Sequence, residues 1–279
     1  METILSSLIT YLGQPFVQRA FIIGIIVALL SSFLSVYIVL KRLSLIGDGL
    51  AHSAYGGLAI GLAVGLYPTI VGATIVILAS LGMTKAIRSG RLAGDAAVAV
   101  FLELGLATGV FVTSVTLNYG YSLDSLLFGS ILLVTWPQIY TASAVLVATL
   151  LLTFVFYKQM LYTVFDQVQA QAGGIVTWRM DYLLSVLTGI AVIAAIPIVG
   201  ILLISSLVLL PGLISIQIAR SFKQTFLMAP VFGLAAVVFG LILSITVPNA
   251  APGGAIVLVA LAMLIVVGGV KSLKSLIRP

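Results

Sequence analysis

Cysteine is absent from the 279 residues, and histidine occurs once. The first absence removes disulfides and thiolate metal ligands, and with them any reading of compartment from redox chemistry. The second removes patterns that need two imidazoles from one chain, such as the HExxH metalloprotease signature. Acids are also scarce: seven in all, and charged residues make up 7% of the chain, against about 25% in a soluble domain. No polar stretch is long enough to fold as a separate catalytic domain. The phosphate-cradling pattern GxxxxGK[ST] is missing, so ATP-driven work would draw on another chain. The sequence is therefore not expected to be an enzyme.

What is there is apolar. Hydrophobic residues account for 62% and mean hydropathy is +1.31, which defines a polytopic membrane protein. Met1 to Gln14 carries Glu2 and no basic n-region, so it is expected not to be a cleaved signal peptide. Crossings, each needing about 17–25 apolar residues when upright, are expected at Phe21–Leu40, Leu45–Leu66, Thr69–Ala86, Ala96–Thr116, Ile131–Tyr157, Tyr182–Ala195, Ile198–Ile218, Phe226–Val247 and Ala255–Val270. Leu126–Ser130 reads as a re-entrant or interfacial turn. The expected fold is all-α, a single membrane helix bundle over residues 1–279 with eight to nine spans. The eight-span alternative treats the short link at Ile196-Pro197 as irregular backbone.

The net charge of +6 is a topology signal and not a nucleic-acid signal. Lys41, Arg42, Lys85, Arg88, Arg91, Lys158, Arg179, Arg220, Lys223, Lys271, Lys274 and Arg278 all fall on one side of a nine-span chain, and Arg19 alone on the other. That basic side is the cytoplasm by the positive-inside rule. The opposite loops, including Asn118 to Asp124 and Pro248 to Gly253, carry no basic residue.

Against this background Asp48 and the sole histidine, His52, stand out. They lie four residues apart in the second span, about 40° apart on a helix, so both can address one point. An Asp near the centre of a membrane helix costs roughly 2.5–3.5 kcal/mol on insertion scales. Carboxylate plus imidazole suits Zn²⁺, Mn²⁺ or Fe²⁺, and two ligands from one chain make the weak site that conduction needs. A symmetry mate would supply two more. The competing reading makes Asp48 a helix cap and His52 an interhelical hydrogen-bond partner. Gly57, Gly61 and Gly65 form a row expected to admit a neighbouring helix on the face opposite Asp48. Asp95 reads as an N-terminal cap of the fourth span. Glu103, two turns further in, is kept as a second contributor to a metal path. Pro211 is expected to bend the seventh span. Phe165 to Gly174 is polar and could form a short cytoplasmic helix ending at Gly173-Gly174.

Several segments resemble, in order, the membrane permeases of zinc, manganese and iron ABC importers. Arg42 to His52 is similar to the pattern R-x-S-L-x-G-D-A-x-x-H, and Asp95 to Val100 to D-x-A-I-x-I. Leu127 to Ser130 is similar to L-F-G-N/S. Phe165 to Gly174 resembles F-D-x-x-x-A-x-x-x-G, and Val199 to Pro211 resembles V-G-x-L-L-x-x-A-L-L-x-x-P. Gly56 stands in the position of a proline that often follows the histidine, which is expected to loosen the helix there. The resemblance implies a homodimer in a bacterial plasma membrane. Two cytoplasmic ATP-binding-cassette ATPase subunits and an extracytoplasmic metal-binding protein would accompany it. It also implies a coupling helix at 165–174, with Asp166, Ala170 and Gly174 at matching positions. Asp48 and His52, with Glu103, would contact transported Mn²⁺, Zn²⁺ or Fe²⁺, with no permanently bound cofactor. A siderophore or vitamin B12 permease and a gradient-driven carrier are the alternatives.

Overall fold

The computed structural model describes residues 13–116, 129, 131–247 and 249–277. Among these residues all regular structure is helical: α1 Pro15–Leu40, α2 Ile46–Val64, α3 Pro68–Arg88, α4 Gly94–Val115, a 3-10 turn at Ile131–Leu133, α5 Trp136–Val155, α6 Tyr157–Phe165, α7 Gln167–Ala172, α8 Thr177–Ile218, α9 Phe222–Thr246 and α10 Pro252–Ile277. Proline opens α1, α3 and α5 at the first or second position, where its fixed φ favours the helix and its missing N–H has no intrahelical partner to lose. The segments Met1 to Leu12, Asn118 to Asp124 and most of the 126–130 piece lie outside the described residues.

Among the described residues, seven helices are long and apolar enough to cross a membrane. The Asp48-bearing α2 is not among them, because Asp48, His52 and five glycines dilute a 19-residue helix. The layers differ in burial. Two thirds of the apolar window is buried in α1 and α8, against 22% in α4 and α5 and 17% in α10. Thus α1 and α8 form the core, while α4, α5 and α10 turn side chains such as Leu104 and Phe111 outward, as lipid-facing helices do.

Hydrogen bonding makes α8 one element of 42 residues, yet it cannot be straight. Asp181 pairs with Lys41 at the end of α1, and the Gly212 N–H donates to Ser35 Oγ on the same helix. A straight helix would separate Asp181 and Gly212 by about 46 Å, whereas Ser35 and Lys41 lie about 9 Å apart along α1. The chain therefore folds back, and it does so at Gly200, whose φ of 78° and ψ of 166° are non-helical. Only glycine adopts that region readily. The reversal expected at Ile196-Pro197 is displaced by this requirement; both residues remain in the helical run. Gly129 packs onto the break, where a Cβ would come within 2.3 Å of the Gly200 nitrogen.

Pro211 also stays within helical dihedrals. The Ser35 hydroxyl donates to the Leu209 carbonyl while accepting from Gly212, so α1 takes up backbone groups beside the proline. At the basic end, Asp181 holds Lys41 on one oxygen and Arg88 on the other. This brings the ends of α1 and α3 and the start of α8 together, as the charge distribution requires. A cavity of about 670 Å³ lies there, lined by Lys41, Arg42, Arg88 and Asp181 among others, and it includes neither Asp48 nor His52.

Candidate metal site on the second helix

Asp48 is the third residue of α2 and His52 the seventh, so they occupy its first and second turns. Both are half-buried. The capping alternative for Asp48 does not hold: the N-cap is Leu45, with no side-chain cap hydrogen bond. No hydrogen bond or ion pair engages the Asp48 carboxylate among the described residues. The His52 Nδ1 atom is buried and, among the described residues, without a hydrogen-bond partner. Asp48 and Glu103 both lie close enough to act on His52 electrostatically. Glu103 is itself exposed on α4. Glu103 thus acts on His52 across the seam between α2 and α4, although among the described residues no group of three possible ligands is compact enough to hold a metal.

The seam exists because α2 and α4 meet through glycine. A Cβ on Gly105 would lie 2.4 Å from the His52 carbonyl oxygen, and one on Gly56 would lie 2.7 Å from the Gly105 carbonyl oxygen. Gly56 therefore marks close helix approach, not a loosened helix. The Ser53 hydroxyl adds a tie, donating to Gly49 and, across the seam, to the Phe101 carbonyl. The glycine row is real in part. Gly57 and Gly61 press onto Gly72 and Pro68 of α3, but a Cβ on Gly65 would meet nothing within 4 Å, and Gly65 instead closes α2 in the left-handed conformation, φ 71°. Asp95 is not the cap expected of it. Ala93 is the N-cap of α4, and Asp95 sits in the first turn without a capping bond, leaving only a favourable position in the helix dipole.

At the basic end, Asp166 caps α7, accepting from the Val168 and Gln169 amides at 2.9 and 3.0 Å. Gly174 ends the segment at φ 81°. Ala170 is 3% exposed and packs inward, while Val168 is 78% exposed. The three residues singled out from sequence build this short helix, and the large apolar side chain it exposes is Val168. The alternation would have been readable only with the inward side of so short a helix known.

Residues 13–270 match the ABC 3 transport family, and the chain belongs to that family. It is a multi-pass protein of a bacterial plasma membrane. A protein named as a probable metal transport system membrane protein of Thermotoga maritima is 30% identical over 88% of this chain and 86% of its own length. The manganese import system permease protein ScaB of Streptococcus gordonii is 30% identical over 90% of each chain. Among solved structures, PsaBC from Streptococcus pneumoniae in complex with Fab superposes with a TM-score of 0.83 at 29% identity, covering 95% of both chains.

Proposed function

We propose that this chain is the permease of an ATP-driven importer for a divalent transition-metal cation, with Mn²⁺ its foremost cargo and Zn²⁺ or Fe²⁺ close in chemistry. The observation that carries the reading is the Asp48–His52 pair, a carboxylate and an imidazole nitrogen left without structural partners among the described residues of a membrane bundle. The manganese-named relatives support the choice of metal. Nine crossings follow if α2 and both halves of the folded α8 span the bilayer. A homodimer would set two such pairs across an axis, four ligands in all, which is enough for a metal that must also leave. Asp48 supplies charge against the dielectric barrier, and His52 favours borderline metals over Ca²⁺ and Mg²⁺, which prefer all-oxygen shells. Glu103 raises the local negative potential from the exposed side of α4.

Energy would come from two cytoplasmic ATPase subunits, and cargo from an extracytoplasmic metal-binding protein. Segment 165–174 would rest on the ATPase through Val168, positioned by the Asp166 cap, the buried Ala170 and the Gly174 turn. Metal uptake by the assembled transporter tests the site. Asp48→Ala and His52→Ala should each abolish ⁵⁴Mn²⁺ and ⁶⁵Zn²⁺ uptake while the complex still assembles; normal uptake by both variants would refute the proposal.

A further inference from the structure

We infer that the Tyr55 hydroxyl is a third group on the cation path, meeting the ion before it reaches His52 and Asp48. This rests on the reading of that pair given above. Asp48, His52 and Tyr55 occupy positions i, i+4 and i+7 of α2, a single stripe in which Tyr55 lies about 20° from Asp48. Tyr55 stands about 4.5 Å along the helix axis beyond His52, on the side away from the basic end.

Tyr55 is 3% exposed, yet its hydroxyl has no hydrogen-bond partner among the described residues. Buried tyrosine hydroxyls ordinarily find one, because an unsatisfied buried polar group destabilises by about 1–3 kcal/mol. His52 Nδ1, the preceding member of the stripe, is unpartnered in the same way, and so is Ser205 Oγ on α8, whose backbone lies 3.8 Å from where a Gly47 Cβ would be.

The ring, by contrast, is held firmly. Its edge lies where a Gly109 Cβ would be, 2.1 Å from Cε1 and 2.3 Å from Cδ1, so α4 is cut back at that point to admit it. Packing alone would be served by phenylalanine; the hydroxyl is the part without a structural use. A phenol oxygen is a hard, neutral donor. It can contact a cation, or a water the cation still carries, without adding a charge that would trap the ion. Oxygen ligation favours Mn²⁺ over Zn²⁺, which takes nitrogen and sulfur more readily. Tyr55 therefore acts in metal selection upstream of the charged pair.

Tyr55→Phe removes only the oxygen. In proteoliposomes containing the assembled transporter, it should raise the KM for ⁵⁴Mn²⁺ uptake about five- to tenfold, with a smaller change for ⁶⁵Zn²⁺. Metal-free ATP hydrolysis and melting temperature should stay at the parent values. An unchanged Mn²⁺ KM overturns the inference. Equal losses for both metals with a lowered melting temperature overturn it too, because they mark a packing role. His52→Ala run alongside separates the two levels: if it transports normally, the site reading itself has failed, whereas a dead His52→Ala beside a normal Tyr55→Phe removes Tyr55 alone.

Discussion

Two aspartates near the starts of helices show how differently one side chain can be used. Asp181, the fifth residue of α8, is held by Lys41 and Arg88 and is only 11% exposed at its side chain, with Lys41 at 9%. Asp48, the third residue of α2, is half-buried and engages no cation among the described residues. Both lie toward the same end of the bundle, so a supply of basic side chains is at hand. The fold neutralises one acid and leaves the other open. A buried charge with two partners fixes geometry, and removing one member leaves its partners stranded. A charge left unpaired beside an imidazole retains its capacity to bind something that arrives and departs.

The comparison can be broken first at Asp48. Replacing it with alanine should lower metal uptake about a hundredfold or more, the scale of losing a charged contact of about 3 kcal/mol. The melting temperature should shift little, since only a helix-dipole contribution of about 0.3–1 kcal/mol is lost. Uptake near the parent level would make Asp48 as structural as Asp181. The coupling end offers a second break. Val168→Asp sets a charge on the displayed face of α7 and should cut metal-stimulated ATP hydrolysis about tenfold, the effect of roughly 1.4 kcal/mol, while leaving Mn²⁺ binding intact. Full coupling would remove Val168 from the ATPase contact.

Asp181→Ala should do the reverse of Asp48→Ala. It strands Lys41 and Arg88 and should destabilise the bundle by roughly 3–5 kcal/mol, read as a lower melting temperature in detergent, with metal affinity preserved in the molecules that remain folded. The pair exchange Lys41→Asp with Asp181→Lys should recover part of the loss. Glu103→Gln is the mildest variant. Its exposed carboxylate acts on His52 from a distance, so the Mn²⁺ KM should rise only about two- to fivefold, in line with a surface charge contribution below about 1 kcal/mol. A full loss of uptake would promote Glu103 to a direct ligand.

Much of this was legible in the sequence because the signals are local. Apolar runs located the helices, basic residues marked one end, and spacing put Asp48 and His52 on one face. The short helix before Gly173-Gly174 was likewise readable from its terminating glycines. What escaped depends on distant parts of the chain. Asp181 meets Lys41 and Arg88 across 140 and 93 residues, and nothing near it announces either. The reversal in α8 was placed at Pro197, a strong local breaker, but it falls at Gly200, where Gly129 comes close enough to exclude any side chain. Gly56 is a weakness in α2 by local sequence alone, but in the fold it makes room for Gly105. Ala170 matched a pattern yet is buried, because pattern positions that shape a short helix need not be the ones that touch a partner.

The central claim is that His52 contacts the transported metal. Electron spin-echo envelope modulation on the Mn²⁺-loaded complex of permease and ATPase addresses it directly, because His52 is the only histidine of this chain. The account predicts ¹⁴N modulation from imidazole in the parent complex and its loss in His52→Ala. Modulation absent from the parent, or persisting unchanged in the variant, would contradict it.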